Sequence, residues 1–360
     1  MTFRTETLKA FFSGLLSGVS EPSRTSVALF LAIPAVLLLL LPLVVTPGTM
    51  AGPLADLFCW GDDDTYCSLT SRALRLAEAD PSVPRVVVVG GSITGTMFRE
   101  RPLADAYARV TGDSVEVDVF TGGRMTFWEM EAIADLLPDG ATGVLLLVVG
   151  PSRFTRNAAE LDTISSSPRL ALDEDLNRER ADHGLPPLRL SGNYFIDNRR
   201  FFSPRLRNAF PNLVFPVHPR PRDYTVEEPL GEKEWEELAD NVVERFRRWP
   251  AEHRWNGDIV RQTVQEVRDR TDMEVVLVDH TINPRFREER MTDAFSTEYH
   301  EYIDALASET GVRLLIADTL IHASERDYYD WGHIRNAAVR DTLSARIGTY
   351  LGRVALSREE

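Results

Sequence analysis

A run of four valines, Val86 to Val89, is the sequence feature that most restricts the fold of this chain. Valine is β-branched, and a strand that is apolar on both faces must be buried on both, as the strands of parallel α/β sheets are. Gly90 and Gly91 follow and permit a sharp turn, which leaves Ser92 at the carboxyl end of the strand. Open α/β sheets bind their ligands at that end. The stretch therefore predicts a parallel sheet with Ser92 at its ligand-binding edge.

Ser92 also precedes a predicted helix, and this position permits two interpretations. The free N–H groups and the positive dipole end of a helix favour an anion or an oxyanion, which suits a functional serine. Alternatively, Ser92 merely caps the helix. A dinucleotide-binding loop is disfavoured, because Ser92 stands where the glycine pattern of Gly90, Gly91 and Gly95 requires its middle glycine.

Further apolar segments alternate with helical patterns along the chain. The predicted strands are Arg85–Val89, Val115–Phe120, Val144–Val149, Glu274–Asp279 and Arg313–Asp318. Helices are predicted at Leu69–Ala79, Met97–Val110, Thr126–Leu137, Glu232–Trp249 and Asp258–Arg270, around residues 299–306, and after Asn336. This alternation predicts a doubly wound α/β fold with a parallel sheet.

About 120 residues separate the third predicted strand from the fourth, which is far more than a crossover connection needs. Residues 151–272 are therefore predicted to form an insertion. Its first half is rich in proline and arginine and is predicted to be irregular, whereas its second half holds two helices. Pro250 is predicted to stop the first of them, because proline cannot continue a helix interior.

Residues 27–45 contain no charged side chain and are long enough to cross the hydrocarbon core of a membrane. Basic residues precede this span and acidic residues follow it. The positive-inside rule then predicts a cytoplasmic segment at 1–26, a transmembrane helix at 27–45, and an extracytoplasmic chain that begins with a linker at 46–83. A cleaved signal peptide is the alternative, although no clean cleavage site follows the apolar run.

Cys59 and Cys67 are the only cysteines, and they flank a short loop just beyond the predicted span. Two cysteines in a loop outside the membrane most simply form a disulfide. A zinc site would need further ligands at a spacing that the sequence lacks. Calcium binding by the aspartates at 62–64 is a less favoured alternative to a solvated acidic loop.

The net charge of −15 disfavours nucleic acid as a partner. Against this acidic background, residues 189–222 contain seven arginines and one acid, interleaved with aromatic residues. The pattern predicts either a surface for a membrane, an anionic glycan or a lipid carrier, or a solvated loop whose aromatic residues fill a small core. The arginines of this candidate patch are Arg199, Arg200, Arg205 and Arg207.

A polar motif, Asp330-Trp-Gly-His333, follows the last predicted strand. An aspartate and a histidine three residues apart can face one pocket, where the acid holds the imidazole in one tautomer and the ring takes a proton from a serine. The alternative is a helix-capping Asp330 and a surface His333. Because Ser92 and this motif both follow carboxyl ends of strands, we favour a Ser–His–Asp triad. Asp279-His280 ends the fourth strand at the same edge and could line the pocket, although a structural role is favoured.

With these residues, the sequence resembles the SGNH (GDSL-like) hydrolase superfamily over residues 84–150 and 273–354. Gly91-Ser92 looks like the nucleophile block of that family, Gly122-Gly123 like its glycine block, Gly150-Pro-Ser152-Arg153 like its third block, and Asp330-x-x-His333 like its last. The ending Asp-Trp-Gly-His-Ile-Arg-Asn is most similar to membrane-anchored members, which act in O-acylation of cell-surface polymers such as teichoic acid and alginate.

The resemblance implies a flavodoxin-like three-layer α/β/α fold and a role for each matched residue. Ser92 would attack an acyl carbonyl, His333 would act as general base and then acid, and Asp330 would orient it. Backbone N–H groups of Ser92 and of Gly122 or Gly123 would form the oxyanion hole. The third block departs from the family, which usually has an asparagine there. Ser152 stands in that place, followed by Arg153, and either could substitute; Asn157 is off register.

These expectations combine into a membrane-anchored extracytoplasmic enzyme that cleaves or transfers an O-acyl group, most simply acetyl, through an acyl-serine. The expected substrate is a cell-envelope or exported glycan, with a polytopic membrane acyltransferase as a candidate partner and the insertion as a lid or membrane-facing platform. No cofactor is expected, and the sequence shows no metal-ligand cluster or phosphate loop. A general ester hydrolase and a catalytically silent scaffold subunit of an acyltransferase complex are the alternatives.

Overall fold

Five parallel strands form a single sheet in the computed structural model, which describes residues 39–59, 65–156, 168–172, 180–181, 186–214 and 228–357. Their order across the sheet is β2–β1–β3–β4–β5, the order of flavodoxin-like folds. The predicted parallel α/β architecture is therefore confirmed. The strands are β1 (Arg85–Gly91), β2 (Glu116–Gly122), β3 (Thr142–Val149), β4 (Asp272–Asp279) and β5 (Arg313–Ile316).

Helices surround the sheet and connect its strands. They are α1 (Pro47–Ala51), α2 (Ala55–Phe58), α3 (Thr65–Ala77), α4 (Ser92–Met97), α5 (Glu100–Thr111), α6 (Phe127–Ala134), α7 (Tyr194–Asp197), α8 (Arg199–Val214), α9 (Glu232–Phe246), α10 (Trp249–Arg270), α11 (Pro284–Arg290), α12 (Asp293–Thr310) and α13 (Ala337–Leu356). Two short 3₁₀ helices, Ala317–Leu320 and Glu325–Asp327, follow β5.

The valines of β1 divide between two hydrophobic cores, one on each face of the sheet. Val86 and Val88 pack in the core that α5, α9 and α13 cover, whereas Val87 and Val89 pack in the core that α3, α6, α10 and α12 cover. All four side chains are fully buried. Because successive side chains of a strand point to opposite faces, a run of valines can fill both cores at once. The result is the expected three-layer arrangement.

The strand order reverses between β1 and β3, and such a switch point leaves a crevice at the carboxyl ends of the strands. Ser92 follows β1 directly, and Gly150 to Arg153 follow β3. The two segments that resemble the first and third family blocks therefore flank the crevice in which such sheets bind their ligands.

Several helices differ from their predicted bounds, and two of the differences have local causes. The helix predicted at Met97–Val110 is observed as α5 and begins only at Glu100, because Phe98 and Arg99 adopt extended backbone angles. The helix predicted at Asp258–Arg270 begins earlier, at Trp249, so Pro250 does not stop a helix but lies in the first turn of α10. Proline is tolerated there, because the N–H that it lacks would have no partner within the helix.

The first half of the insertion was predicted to be irregular, but its described part contains α7 and α8. Phe201 and Phe202 of α8 are fully buried, and the Phe202 ring contacts the rings of Phe58 and Tyr194 at 5.2 and 5.7 Å. Burial of these aromatic rings supports a helix despite Pro204. The aromatic residues that are described thus fill a core, as one of the two interpretations predicted. The side chain of Arg207 lies outside the described part, as do Asn157, Arg220 and Arg222.

The predicted disulfide between Cys59 and Cys67 is confirmed. Most of the predicted span at 27–45 lies outside the described residues, as do residues 1–26 and the aspartates at 62–64. In the part of the chain that the structure describes, no helix has both the length and the apolar character needed to cross a membrane.

Candidate active site

Asp330 and His333 form a buried, hydrogen-bonded pair. Nδ1 of His333 lies 2.7 Å from Oδ2 and 2.9 Å from Oδ1 of Asp330. Oδ1 also accepts the backbone N–H groups of Gly332 at 3.0 Å and of His333 at 2.9 Å. A carboxylate in this position holds a proton on Nδ1 and leaves Nε2 to accept one from a substrate or nucleophile.

The electrostatics of the pair keep Asp330 ionised. Burial by itself raises the pKa of a carboxyl group. At Asp330, the attraction of His333, the hydrogen bond from its ring and the two backbone N–H bonds outweigh burial and hold the pKa below its usual value. The carboxylate is therefore charged at neutral pH and can stabilise a positive charge on His333.

The loop that carries the pair is fixed by neighbouring elements. Asn283 donates its backbone N–H to the carbonyl of Trp331 and its Nδ2 to the carbonyl of Asp330, each at 2.9 Å. Ile334 donates its N–H to Oγ1 of Thr96 in α4 at 3.1 Å. Since α4 begins at Ser92, the histidine loop is hydrogen-bonded directly to the helix that starts with the predicted nucleophile.

Ser92 is the first residue of α4 and is partly exposed. The N-cap of this helix is Gly91, which has extended backbone angles. The interpretation of Ser92 as the helix cap is therefore wrong, and its hydroxyl is not committed to capping. The first N–H groups of a helix have no intrahelical partner, so the backbone at Ser92 can donate to a ligand.

One cavity of about 580 Å³ brings Ser92, Asp330 and His333 together. This volume is within the range of small-molecule sites. Gly122 and Gly123 are not among its lining residues, whereas the next residue, Arg124, is. The cavity is lined by Ser92, Ile93, Arg124, Ser152, Arg153, Arg156, Leu230, Glu234, Glu237, Leu238, Asn241, Arg245, His280, Tyr329, Asp330, Trp331 and His333.

Helix α9 of the insertion supplies one wall of the cavity, which the sequence did not predict. Glu234, Glu237, Asn241 and Arg245 project from it. The apolar face of this helix is buried. The signal was nevertheless present, since polar residues three and four positions apart lie on one helix face.

Arg153 is buried next to Gly91, the residue that precedes the predicted nucleophile. Its Nη1 donates to the carbonyl of Met125, and its Nη2 lies so near Gly91 that a Cβ added there would be 1.6 Å away. Burial lowers the pKa of the guanidinium to about 10, so it remains charged at neutral pH. A fixed positive charge therefore lies beside the residue that precedes Ser92. Ser152 also lines the cavity.

His280 lines the cavity, whereas Asp279 belongs to a buried polar cluster beneath it. Nδ1 of His280 lies 2.9 Å from the carbonyl of Thr281, and burial lowers the pKa of the ring to about 4. Asp279 accepts the hydroxyl of Tyr299 at 2.6 Å, and burial raises the pKa of its carboxyl group to about 7. His280 is thus neutral at pH 7, and the carboxyl group of Asp279 keeps its proton to a higher pH than an exposed aspartate does.

Asp279 has a raised pKa and His280 a lowered one, so their contributions to the stability of the fold change in opposite directions with pH. Between pH 4 and 7, folded Asp279 keeps a proton that the unfolded chain loses, so its contribution to stability falls as pH rises. Folded His280 lacks a proton that the unfolded chain binds, so its contribution falls as pH drops from 6.5 to 4. Asp279→Asn removes the first effect and retains an acceptor for Tyr299.

We therefore expect the free energy of unfolding of the wild type, relative to Asp279→Asn, to fall by about 2–3 kcal/mol between pH 5 and pH 8. Urea unfolding at the two pH values measures this difference. A difference between the two proteins that stays constant over this range would contradict the raised pKa.

Comparison with known proteins gives only distant likenesses. No family model matches the chain, and no curated protein matches it. A presumed acylhydrolase from Bacteroides fragilis NCTC 9343 aligns with 82% of this chain and 99% of its own, at 9% identity and a TM-score of 0.37. A presumed arylesterase from Agrobacterium tumefaciens str. C58 aligns with 76% of this chain and 99% of its own, at 12% identity and a TM-score of 0.34. The function is therefore inferred from the geometry of the cavity.

Proposed function

We propose that the chain is a serine ester hydrolase or acyltransferase of the SGNH type, with Ser92, His333 and Asp330 as its catalytic triad. One observation supports this most strongly. A partly exposed serine at a strand-to-helix junction lines the same cavity as a buried aspartate–histidine pair, at the switch point of the sheet. These are the residue types and the location that nucleophilic acyl transfer requires.

In the proposed reaction, the Ser92 oxygen bonds to the acyl carbon while Nε2 of His333 takes the serine proton. Asp330 stabilises the positive imidazole, and backbone N–H groups bind the oxyanion. The leaving alcohol then takes the proton from His333, which gives the acyl-serine. Water or a second hydroxyl attacks this ester with His333 again as base, and the acid or the new ester is released. The buried Arg153 would add positive charge beside the oxyanion, in place of the asparagine of the third block.

We propose an O-acylated glycan of the cell envelope, or an exported one, as the substrate, with acetyl as the simplest acyl group. The cavity walls are compatible with a sugar. The cavity lining includes the aromatic residues Tyr329 and Trp331 and, from α9, hydrogen-bonding groups of Glu234, Glu237 and Asn241 that could bind hydroxyls. In this proposal the insertion is a substrate platform, and a membrane acyltransferase could supply the acyl group.

Ester hydrolysis tests the proposal directly. The full-length protein should release p-nitrophenol from p-nitrophenyl acetate, and Ser92→Ala should not. If an acetylated oligosaccharide loses acetate to water, the enzyme is a hydrolase, whereas transfer of the acetyl group to a second oligosaccharide indicates a transferase. A folded wild-type protein without Ser92-dependent activity would support the scaffold instead.

We also propose that residues 27–45 anchor the chain and that the catalytic domain lies outside the membrane. The Cys59–Cys67 disulfide suits an oxidising compartment. Leu39 and Leu43 are each 75% exposed, and the carbonyl of Pro42 accepts Nδ2 of Asn193 at 2.8 Å. The end of the apolar run therefore contacts the segment that leads into α7 and α8. This segment adds the partly exposed Leu190 and Ile196 and the exposed Arg199 and Arg200, a combination that suits a bilayer surface.

A fluorophore at Ile196→Cys should therefore be quenched by lipid-borne nitroxide when the full-length chain is reconstituted into anionic vesicles. The control is Asp113→Cys, on the exposed loop before β2. Equal quenching at the two positions would contradict a bilayer contact at α7.

Protease added outside spheroplasts should cleave the chain beyond residue 46, and full protection would contradict the proposed orientation.

A further inference from the structure

The turn after β2 has an unusual backbone at the edge of the cavity. The N–H of Met125 donates to the carbonyl of Gly122 at 3.3 Å and closes a four-residue turn. Arg124 is the third residue of this turn and has a φ of 60°. Glycine or asparagine normally occupies that position, because other side chains disfavour a positive φ. Such a conformation persists only where the surroundings enforce it, and it is frequent at functional sites.

The side chains of Tyr66 and Arg169 donate hydrogen bonds to carbonyl groups of this turn. The Tyr66 hydroxyl donates to the carbonyl of Gly123, and Nη1 of Arg169 donates to the same carbonyl at 2.9 Å. Nη2 of Arg169 donates to the carbonyl of Arg124 at 3.1 Å. A trans peptide group is planar, so its N–H points away from its carbonyl. The N–H of Arg124 therefore points away from Tyr66 and Arg169.

A buried carboxylate fixes Arg169 in turn. Glu129 is fully buried and accepts Nε of Arg169 at 2.9 Å as well as Nη2. The same carboxylate accepts the backbone N–H and the hydroxyl of Thr126, each at 2.8 Å. The Arg169 guanidinium lies 4.8 Å from the centre of the Tyr66 ring. Burial and the nearby Glu129 raise the pKa of Tyr66 far above its usual value, so its hydroxyl stays protonated and remains a donor.

The Cys59–Cys67 disulfide restrains the backbone next to Tyr66. Cys67 is the residue after Tyr66, and its bond to Cys59 ties the start of α3 to the end of α2. The Tyr66 ring also packs on Gly122, where an added Cβ would be 2.7 Å from it. Tyr66 is therefore held on one side by the disulfide and on the other by β2.

We propose that Tyr66, Glu129 and Arg169 are positioning residues for the proposed ester chemistry, which this inference takes as its premise. They hold the Gly122–Met125 turn so that the N–H of Arg124 faces the developing oxyanion. This N–H group donates to no protein acceptor within the described part of the chain. The cavity is lined by Arg124 but not by Tyr66, Glu129 or Arg169, so these three act through the turn and not on the substrate.

Tyr66→Phe and Arg169→Lys test this role, because the first keeps the ring and the second keeps the charge. We expect each to lower kcat for p-nitrophenyl acetate by about 10–100-fold and to change KM less than about twofold, since oxyanion donors act mainly in the transition state. The rate constant of inactivation by a fluorophosphonate, which forms a tetrahedral adduct, should fall in parallel. The double variant Cys59→Ser/Cys67→Ser should change kcat in the same direction.

Two matched controls remove bonds of the same kind away from the cavity. The Tyr302 hydroxyl donates to the carbonyl of His253 at 2.9 Å, and Arg268 donates to the carbonyls of Thr310 and Gly311. Tyr302→Phe and Arg268→Lys should keep the wild-type kcat. Wild-type kcat in both Tyr66→Phe and Arg169→Lys, or an equal loss in the control variants, would overturn the positioning role while Ser92-dependent hydrolysis stands. A wild-type protein without that hydrolysis would overturn the proposed function, and this inference with it.

Discussion

Replacing Ser92 by alanine is expected to lower kcat for p-nitrophenyl acetate by about 10⁴–10⁶-fold, the loss that follows removal of the nucleophile from other serine hydrolases. The acyl-serine cannot form without the hydroxyl, and His333 then has only water to activate. Binding of the ester should change little, because the cavity walls and the oxyanion donors remain. Initial rates with the purified full-length protein measure the effect.

The result is specific only if the nucleophile, and not the fold, has been lost. Ser203→Ala changes an exposed serine of α8 and should retain full activity. Near-UV circular dichroism should be the same for the three proteins. A fluorophosphonate should label the wild type once, on the peptide that contains Ser92, and should not label Ser92→Ala. Labelling at another serine, with activity retained in Ser92→Ala, would rule out the proposed triad.

The parts of this architecture that the sequence predicts are those that depend on short-range pattern. The valines of β1 reveal a strand buried on both faces, and the residue after such a strand lies at the carboxyl edge whatever the rest of the chain does. Ser92 and the Asp330–His333 pair could therefore be placed at one edge without knowledge of the strand order. Their presence in one cavity then follows from the switch point between β1 and β3.

The parts that the sequence does not predict depend on contacts between distant segments. The Tyr66 hydroxyl meets a carbonyl 57 positions away, and Arg169 meets Glu129 across 40 positions. No periodicity in either segment specifies these partners. Similarly, α8 forms despite its prolines because its phenylalanines are buried against α2, and that burial is invisible until the two segments are brought together.

Asp330→Asn is expected to lower kcat by about 10⁴-fold while the fold is retained, and the geometry of the pair gives the reason. Oδ1 of Asp330 accepts two backbone N–H groups, so the oxygen of an asparagine must stay in that position. Its amide nitrogen then replaces Oδ2, which lies 2.7 Å from Nδ1 of His333. A donor at that point requires an unprotonated Nδ1, and the ring proton moves to Nε2. In this tautomer His333 cannot accept the proton of Ser92.

The measurement compares kcat and KM of Asp330→Asn with those of Asp304→Asn, a substitution of the same chemistry at an exposed position of α12. KM should be nearly unchanged, because Asp330 faces His333 and not the ester. Fluorophosphonate labelling of Ser92 should slow in proportion to kcat. If Asp330 only supported its loop, Asp330→Asn would lower the thermal stability without the loss of kcat. The two measurements together therefore distinguish a catalytic role from a structural one. If Asp330→Asn retained more than about a tenth of the wild-type kcat, Asp330 would not set the tautomer of His333 as the triad requires.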